Sequence, residues 1–276
     1  MTAGNRDALS QPVPPEPFAL IVGAAGQARS DAALKSALRH MGLRPEQVSG
    51  DDDGGAQIGP PVFRLHFGTL SVLAGRVGEA ALDIADPDHP STSLLAASLP
   101  RSWRDGGQCW YFLPERGGDA VSGPGQAPRM REFFKMMVLV IDLFEASHIF
   151  WSPARLWSEA YQFRTAIAEM LASGMPPVLH LIAFRRREAD DGARMETRGL
   201  ALFAGQELEA GIPGGWTVAE MVRRLSRLAL DMMLNGPILG ARRMRGLAAG
   251  EWIAISPRPV AGNESSTVVV ELGRDN

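Results

Sequence analysis

Apolar positions crowd residues 127–153, APRMREFFKMMVLVIDLFEASHIFWSP. Phe133, Met137, Val140, Ile141 and Phe144 recur at helical spacing, and Met136, Val138 and Leu139 make the remaining faces apolar as well. That pattern predicts a helix over 127–146 that is buried on several sides. Pro128 fits its first turn, where a missing N–H costs nothing. Residues 147–151 read as a strand that Pro153 stops.

The same reading extends along the chain. Residues 18–22 form a short apolar run closed by Gly23, the pattern of a buried strand. Ser30 caps a helix through Met41, with Leu34, Ala37, Leu38 and Met41 on one face and Gly42 ending it. Residues 62–67 and 70–77 alternate apolar and polar around Gly68-Thr69, which predicts a hairpin. Ser91 caps a short helix over Leu94, Leu95 and Leu99, and residues 108–113 form the next strand. Beyond Trp151, Ser158 caps a helix to Ser173. Residues 178–185 and 197–203 read as strands, followed by a helix whose capping box is Thr217 with Glu220. Val218, Met221, Val222, Leu225, Leu228, Ala229 and Met232 make that helix's apolar face, with Arg223, Arg224, Arg227 and Asp231 placed elsewhere. Late strands cover 252–256 and 267–272.

Each half therefore reads β-α-β-β-α-β, the second with one extra strand, and a single mixed-sheet domain is the alternative. The expected fold class is α+β, two ferredoxin-like units packed together and joined by a buried helix. The expected divisions are a disordered lead-in (1–17, polar and proline-rich), a first unit (18–126), the connecting helix (127–146) and a second unit (147–276). Residues 115–126 are glycine-rich and read as a linker.

Composition narrows the function classes. In 276 residues, 28 Lys and Arg stand against 31 Asp and Glu, a net charge of −3. Nucleic-acid backbones need a concentrated basic face, so none is expected as a partner. The basic runs Arg185–Arg187 and Arg242, Arg243, Arg245 read as solvated strand ends. Cys109 is the single cysteine; an intrachain disulfide is excluded, and a packed thiol is the expected role. The longest apolar run, 136–141, is far too short to span a membrane. No apolar leader core opens the chain, which points to a cytoplasmic setting.

Reactive motifs are scarce. Gly23-Ala-Ala-Gly26 lies between a strand and a helix, as phosphate sites do, but lacks the P-loop lysine and reads as a tight turn. Asp83, Asp86, Asp88 and His89 are the densest ligand group; without the EF-hand order they are weak metal candidates beside a plain proline-bounded turn. Asp51–Asp53 read the same way. Ser152-Pro153 gives no nucleophile elbow. His148 and His180 fall in apolar strands, where a packed imidazole is usual. A site at the junction of the halves would need His148, His180, Glu207 and Glu209 to converge. No cofactor is expected.

Residues 147–209 carry a resemblance: SHIFWSPARLW around Trp151, then PPVLHLIAFRR, then Thr197-Arg-Gly199-Leu200-Ala-Leu-Phe203-Ala-Gly205-Gln-Glu207-Leu208-Glu209. This run resembles a bacterial family described only as a domain of unknown function, DUF four-two-six-one. Ala204 departs from the family's Phe-Gly step, and Asn235 and Pro237 depart from its closing motif. The resemblance brings no activity, cofactor or catalytic residue. It implies a cytoplasmic bacterial α+β protein kept near toxin or secretion loci, with Trp151, Gly199, Glu207 and Glu209 as motif residues.

Two functions from different classes fit these residues. The first is a non-enzymatic adaptor or immunity-type binder of a protein partner, working through a groove between the two units. The second is an enzyme or small-ligand binder at their junction. A metabolite sensor rests on fold analogy alone.

Overall fold

The structure, a computed structural model, describes residues 18–23, 30–48, 58–95, 99–104, 109–115, 126–190, 192–258 and 266–274. The expected lead-in, most of the 115–126 linker, Asp51–Asp53 and residues 24–26 of the early glycine turn lie outside them. The chain divides into two compact units, Met1–His180 and Leu181–Asn276.

The first unit is built on an eight-stranded sheet. Its strands are β1 (Ala19–Val22), β2 (Arg44–Gln47), β3 (Pro61–Phe67), β4 (Leu70–Arg76), β5 (Ser93–Leu94), β6 (Cys109–Pro114), β7 (His148–Trp151) and β8 (Leu156–Glu159), in the order β2-β3-β4-β6-β1-β7-β8-β5. Pairing is antiparallel except between β5 and β8. The β3–β4 hairpin turns on Gly68-Thr69, with Phe67 opposite Leu70. Gly68 has φ +61°, a conformation that glycine adopts without strain.

Helices α1 (Asp31–His40), α2 (Glu79–Ile84), α3 (Gln126–Leu143) and α4 (Ala160–Ser173) complete the unit. Ser30 caps α1 by accepting the Ala33 N–H at 3.3 Å. Helix α3 buries Met130, Phe133, Phe134, Met136, Met137, Val140 and Ile141.

Alternation divides the sheet's two faces. Ile149 and Trp151 look toward α3 and α4: the Trp151 ring lies 6.1 Å from Phe133 and 5.5 Å from Phe134, which in turn meets Phe163 of α4. Leu20, Val22, Tyr111, Phe150 and Trp157 look the other way. They pack with Ala81 and Leu82 of α2, Ala85 and Trp103.

The second unit carries β9 (Ala183–Ala189), β10 (Gly192–Arg198), α6 (Ala201–Ala204), β11 (Gln206–Gly211), α7 (Val218–Asn235), β12 (Arg242–Arg245), β13 (Glu251–Arg258) and β14 (Ser266–Arg274); α5 (Val178–Leu181) precedes it. Its six strands run β12-β13-β14-β11-β10-β9, with β11 and β14 parallel and the other neighbours antiparallel. Alternate residues Met195, Leu208, Ala210, Ile253, Ile255, Val268 and Val270 are buried. Glu251 shares their face on β13 and bonds Arg224, which places α7 over that face. The capping box is formed: Glu220 N–H donates to Thr217 Oγ1 and Thr217 N–H to the Glu220 carboxylate.

The α+β class holds, with two mixed sheets among the described residues. The finer arrangement differs from two βαββαβ plaits. Helix α3 runs from β6 to β7, and both of these strands flank β1 in one sheet, so the segment expected to join two halves is internal to the first unit. Residues 178–181 turn as α5 rather than extending, because Pro176-Pro177 pre-set a first helical turn.

Candidate functional site

The two histidines lie on opposite faces of the first sheet. His148 shares the Phe150 side of β7; its Nδ1 is 3.1 Å from Ser147 Oγ. His180, on α5 rather than in a strand, has its Nδ1 3.4 Å from Ser158 Oγ and its ring edge-on to Phe163 at 6.1 Å. Ser158 pairs across from Ile149, on the α3–α4 side. Burial lowers the His180 pKa, so the neutral ring is the favoured form there. Glu207 and Glu209 belong to the second unit.

Glu207 is tied into its own corner. Thr197 Oγ1 donates to its carboxylate at 2.7 Å, and the N–H groups of Gly199, Leu200 and Ala201 donate at 2.8, 3.3 and 3.0 Å. Thr197 Oγ1 also accepts the Leu208 N–H at 2.7 Å. Gly199 has φ +97°, which lets the chain swing from β10 into α6 and aim three successive N–H groups inward. The corner is an anion nest occupied by the chain's own carboxylate. Burial pushes the Glu207 carboxyl up, and the four donors pull it down against that. Glu207→Ala is expected to lower the second unit's stability by about 2 kcal/mol, through donors left without an acceptor. Urea unfolding measures that loss, and added formate is expected to restore part of it by refilling the nest.

The remaining sequence candidates also have internal partners. Glu209 pairs with Arg194. Trp151 is core; its Nε1 has no hydrogen-bond partner among the described residues. Asp83 and Asp86 receive Arg104 at 3.8 and 3.3 Å. Asp86 also accepts the Asp88 N–H at 3.1 Å, and His89 Nδ1 lies 2.7 Å from Ser91 Oγ. Among the described residues no three His, Cys, Asp or Glu side chains are grouped to hold a metal ion. Ser152 is buried and accepts the Phe18 N–H at 2.8 Å. Burial pushes the Cys109 thiol up to about 11, so the nucleophilic thiolate is scarce at neutral pH.

Two features of the second unit lay outside the sequence reading. One is an ionic knot. Arg224 sits within the apolar face of α7, not elsewhere as its charge suggested; its side chain is 7% exposed and that of Glu251 is 2% exposed. Arg224 Nε and Nη2 both donate to Glu251, which also accepts the N–H groups of Leu247 and Ala248 at 3.0 Å each. Arg224 stacks on Trp216 at 4.2 Å, and Arg274 reaches both Glu251 and that ring. An arginine three residues after Met221 and four before Leu228, inside a run of core positions, was the available signal.

The other feature is a pinned loop. Gln206 grips Ile238 at both backbone groups: its Nε2 donates to the Ile238 carbonyl at 3.0 Å, and its Oε1 accepts the Ile238 N–H at 2.7 Å. Ile238 is thereby held inward. Its neighbour Leu239 is left 88% exposed, and Leu234 at the end of α7 is 48% exposed. Beside them is a depression of about 400 Å³ lined in part by Asp231, Asn235, Pro237 and Arg242. Leaving a leucine in water forgoes about 1.5–3 kcal/mol of burial.

Comparison of the chain with known protein families, curated proteins and solved structures returns no match. Among the described residues no helix is long and apolar enough to cross a membrane.

Proposed function

We propose that this chain is a protein-interaction module whose binding surface is centred on the Leu239 loop of the second unit. The observation that carries the reading is the Gln206–Ile238 clamp, which fixes the backbone next to an 88% exposed leucine. A pre-organised apolar anchor lowers the ordering cost of association. The buried carboxylates support the same reading from the other side: Glu207 and Glu251 spend their acceptor capacity on the chain's own donors. An adaptor or immunity-type role, the first of the two functions read from the sequence, is compatible with such a surface.

The test is site-specific photocrosslinking in the native cell. A benzophenone side chain at position 239 is expected to capture one defined protein, and the same group at Arg186 on the far edge of the sheet is not. Equal recovery from both positions, or none from position 239, would overturn the reading.

A further inference from the structure

We infer that the free edge of β12 receives an extended acidic segment of the partner as an added strand; the inference rests on the protein-binding reading above. Strand β12 hydrogen-bonds to β13 and ends the sheet. Among the described residues no strand pairs with its second side, the side on which an added strand docks.

Charge selects the occupant. Three of the four β12 residues are arginines, and all three are exposed. Arg242 lies 3.4 Å from Asp231 of α7, while Arg224 of α7 bonds Glu251 near the far end of β12. These two contacts mark the flank of α7 that runs beside β12. Arg227 sits on that flank, three residues after Arg224 and four before Asp231, and it is exposed. Arg243 lies over the Trp252 ring at 4.4 Å. Arg245 has no ion pair among the described residues. The edge thus runs between basic side chains, with Leu234 and Leu239 near the Arg242 end.

The opposite edge differs. On β9, Arg186 meets Glu188 at 2.7 Å and Arg187 meets Glu196 at 3.3 Å, whereas beside β12 Arg242 meets Asp231 and the exposed Arg227 and Arg245 have no ion pair among the described residues. A second copy of this chain is a poor occupant for β12, because pairing that strand with itself sets arginine against arginine. A nucleic acid would use the charge but neither the strand-pairing groups nor the leucines. An acidic strand with an apolar residue uses all three.

The probe is a fluorescein-labelled peptide, Glu-Leu-Glu-Val-Glu-Leu-Glu, titrated with the full chain and followed by anisotropy. Four outcomes are expected. The peptide binds, and its lysine counterpart does not. Arg227→Glu and Arg245→Glu each weaken binding at least about fivefold, while Arg186→Glu leaves it unchanged. N-methylation of one alternating set of peptide amides abolishes binding, and methylation of the other set is tolerated, because an added strand bonds through one side only. The amides of β12 gain hydrogen-exchange protection. No binding at millimolar peptide, equal binding of the lysine peptide, or equal effects of the two N-methylated sets would each overturn the inference. So would concentration-dependent self-association through β12, or displacement of the peptide by oligo-dT. A partner captured from position 239 whose binding ignores Arg227→Glu and Arg245→Glu would leave the interaction reading standing and the edge inference refuted.

Discussion

Glu251→Ala is expected to cost the second unit about 3–5 kcal/mol, because it strands a buried guanidinium. The substitution leaves Arg224 without its carboxylate and removes the acceptor for the Leu247 and Ala248 N–H groups. A two-unit chain need not unfold in one step, so the loss is best read from hydrogen exchange in β13 and β14 under urea. Replacing Arg224 and Glu251 together by methionine removes the ions as a pair and is expected to cost far less. The pH dependence follows from the same knot. The Arg224 guanidinium holds the Glu251 carboxyl down at about 2, against about 4.3 for an ordinary glutamate in an unfolded chain. The folded pKa is the lower one. The stabilisation is therefore complete above about pH 4.3 and is lost as pH falls from there toward 2. Glu251→Gln is expected to lose that acid-sensitive component while remaining destabilised at neutral pH.

Trp157→Ala is expected to be comparably severe in the first unit, at about 3–5 kcal/mol. Trp157 is fully buried, its ring 5.2 Å from both Phe150 and Trp103, and its Nε1 donates to the Ala85 carbonyl at 2.7 Å. That bond ties the α2 layer to the sheet. Trp157→Phe keeps most of the apolar area but orphans the Ala85 carbonyl, so a smaller loss of about 1–2 kcal/mol is expected. Exchange protection of β1 and β7 amides under denaturant separates the two variants. Equal protection in both would mean that the ring's bulk matters less than its surroundings indicate.

How much of this was legible in the sequence depended on distance along the chain. The buried helix α3, the Gly68-Thr69 hairpin and the Thr217–Glu220 capping box are local patterns, and each formed close to where its residues placed it. Strand order was not legible. Strand β1 pairs with residues 109–112 on one side and 148–151 on the other, contacts that no local period encodes. The apolar run at 178–185 was too short to tell helix from strand. It split into α5 and β9, which moved His180 onto a helical turn.

The site was less legible than the fold. The motif Thr197, Gly199, Glu207 was visible as a pattern, but its chemistry depends on β10 and β11 lying side by side so that three N–H groups meet one carboxylate. Arg224 was set aside as surface by its charge, since its partner lies 27 residues away. The residues of β12 read as a solvated basic run, and only the sheet order shows them to be an edge. Leu239 stood out in no periodicity; its exposure follows from what Gln206 does to its neighbour.

The parallel pairing of β11 with β14 has a consequence for how the second unit is made. Strand β14 occupies an interior position, between β13 and β11, yet it is the last element of the sheet in the chain. During synthesis, the β9–β10–β11 meander therefore emerges with the outer backbone N–H and C=O groups of β11 still without the strand that pairs them. Until residues 266–274 leave the ribosome that margin is an open strand edge, the kind of surface at which chains mispair.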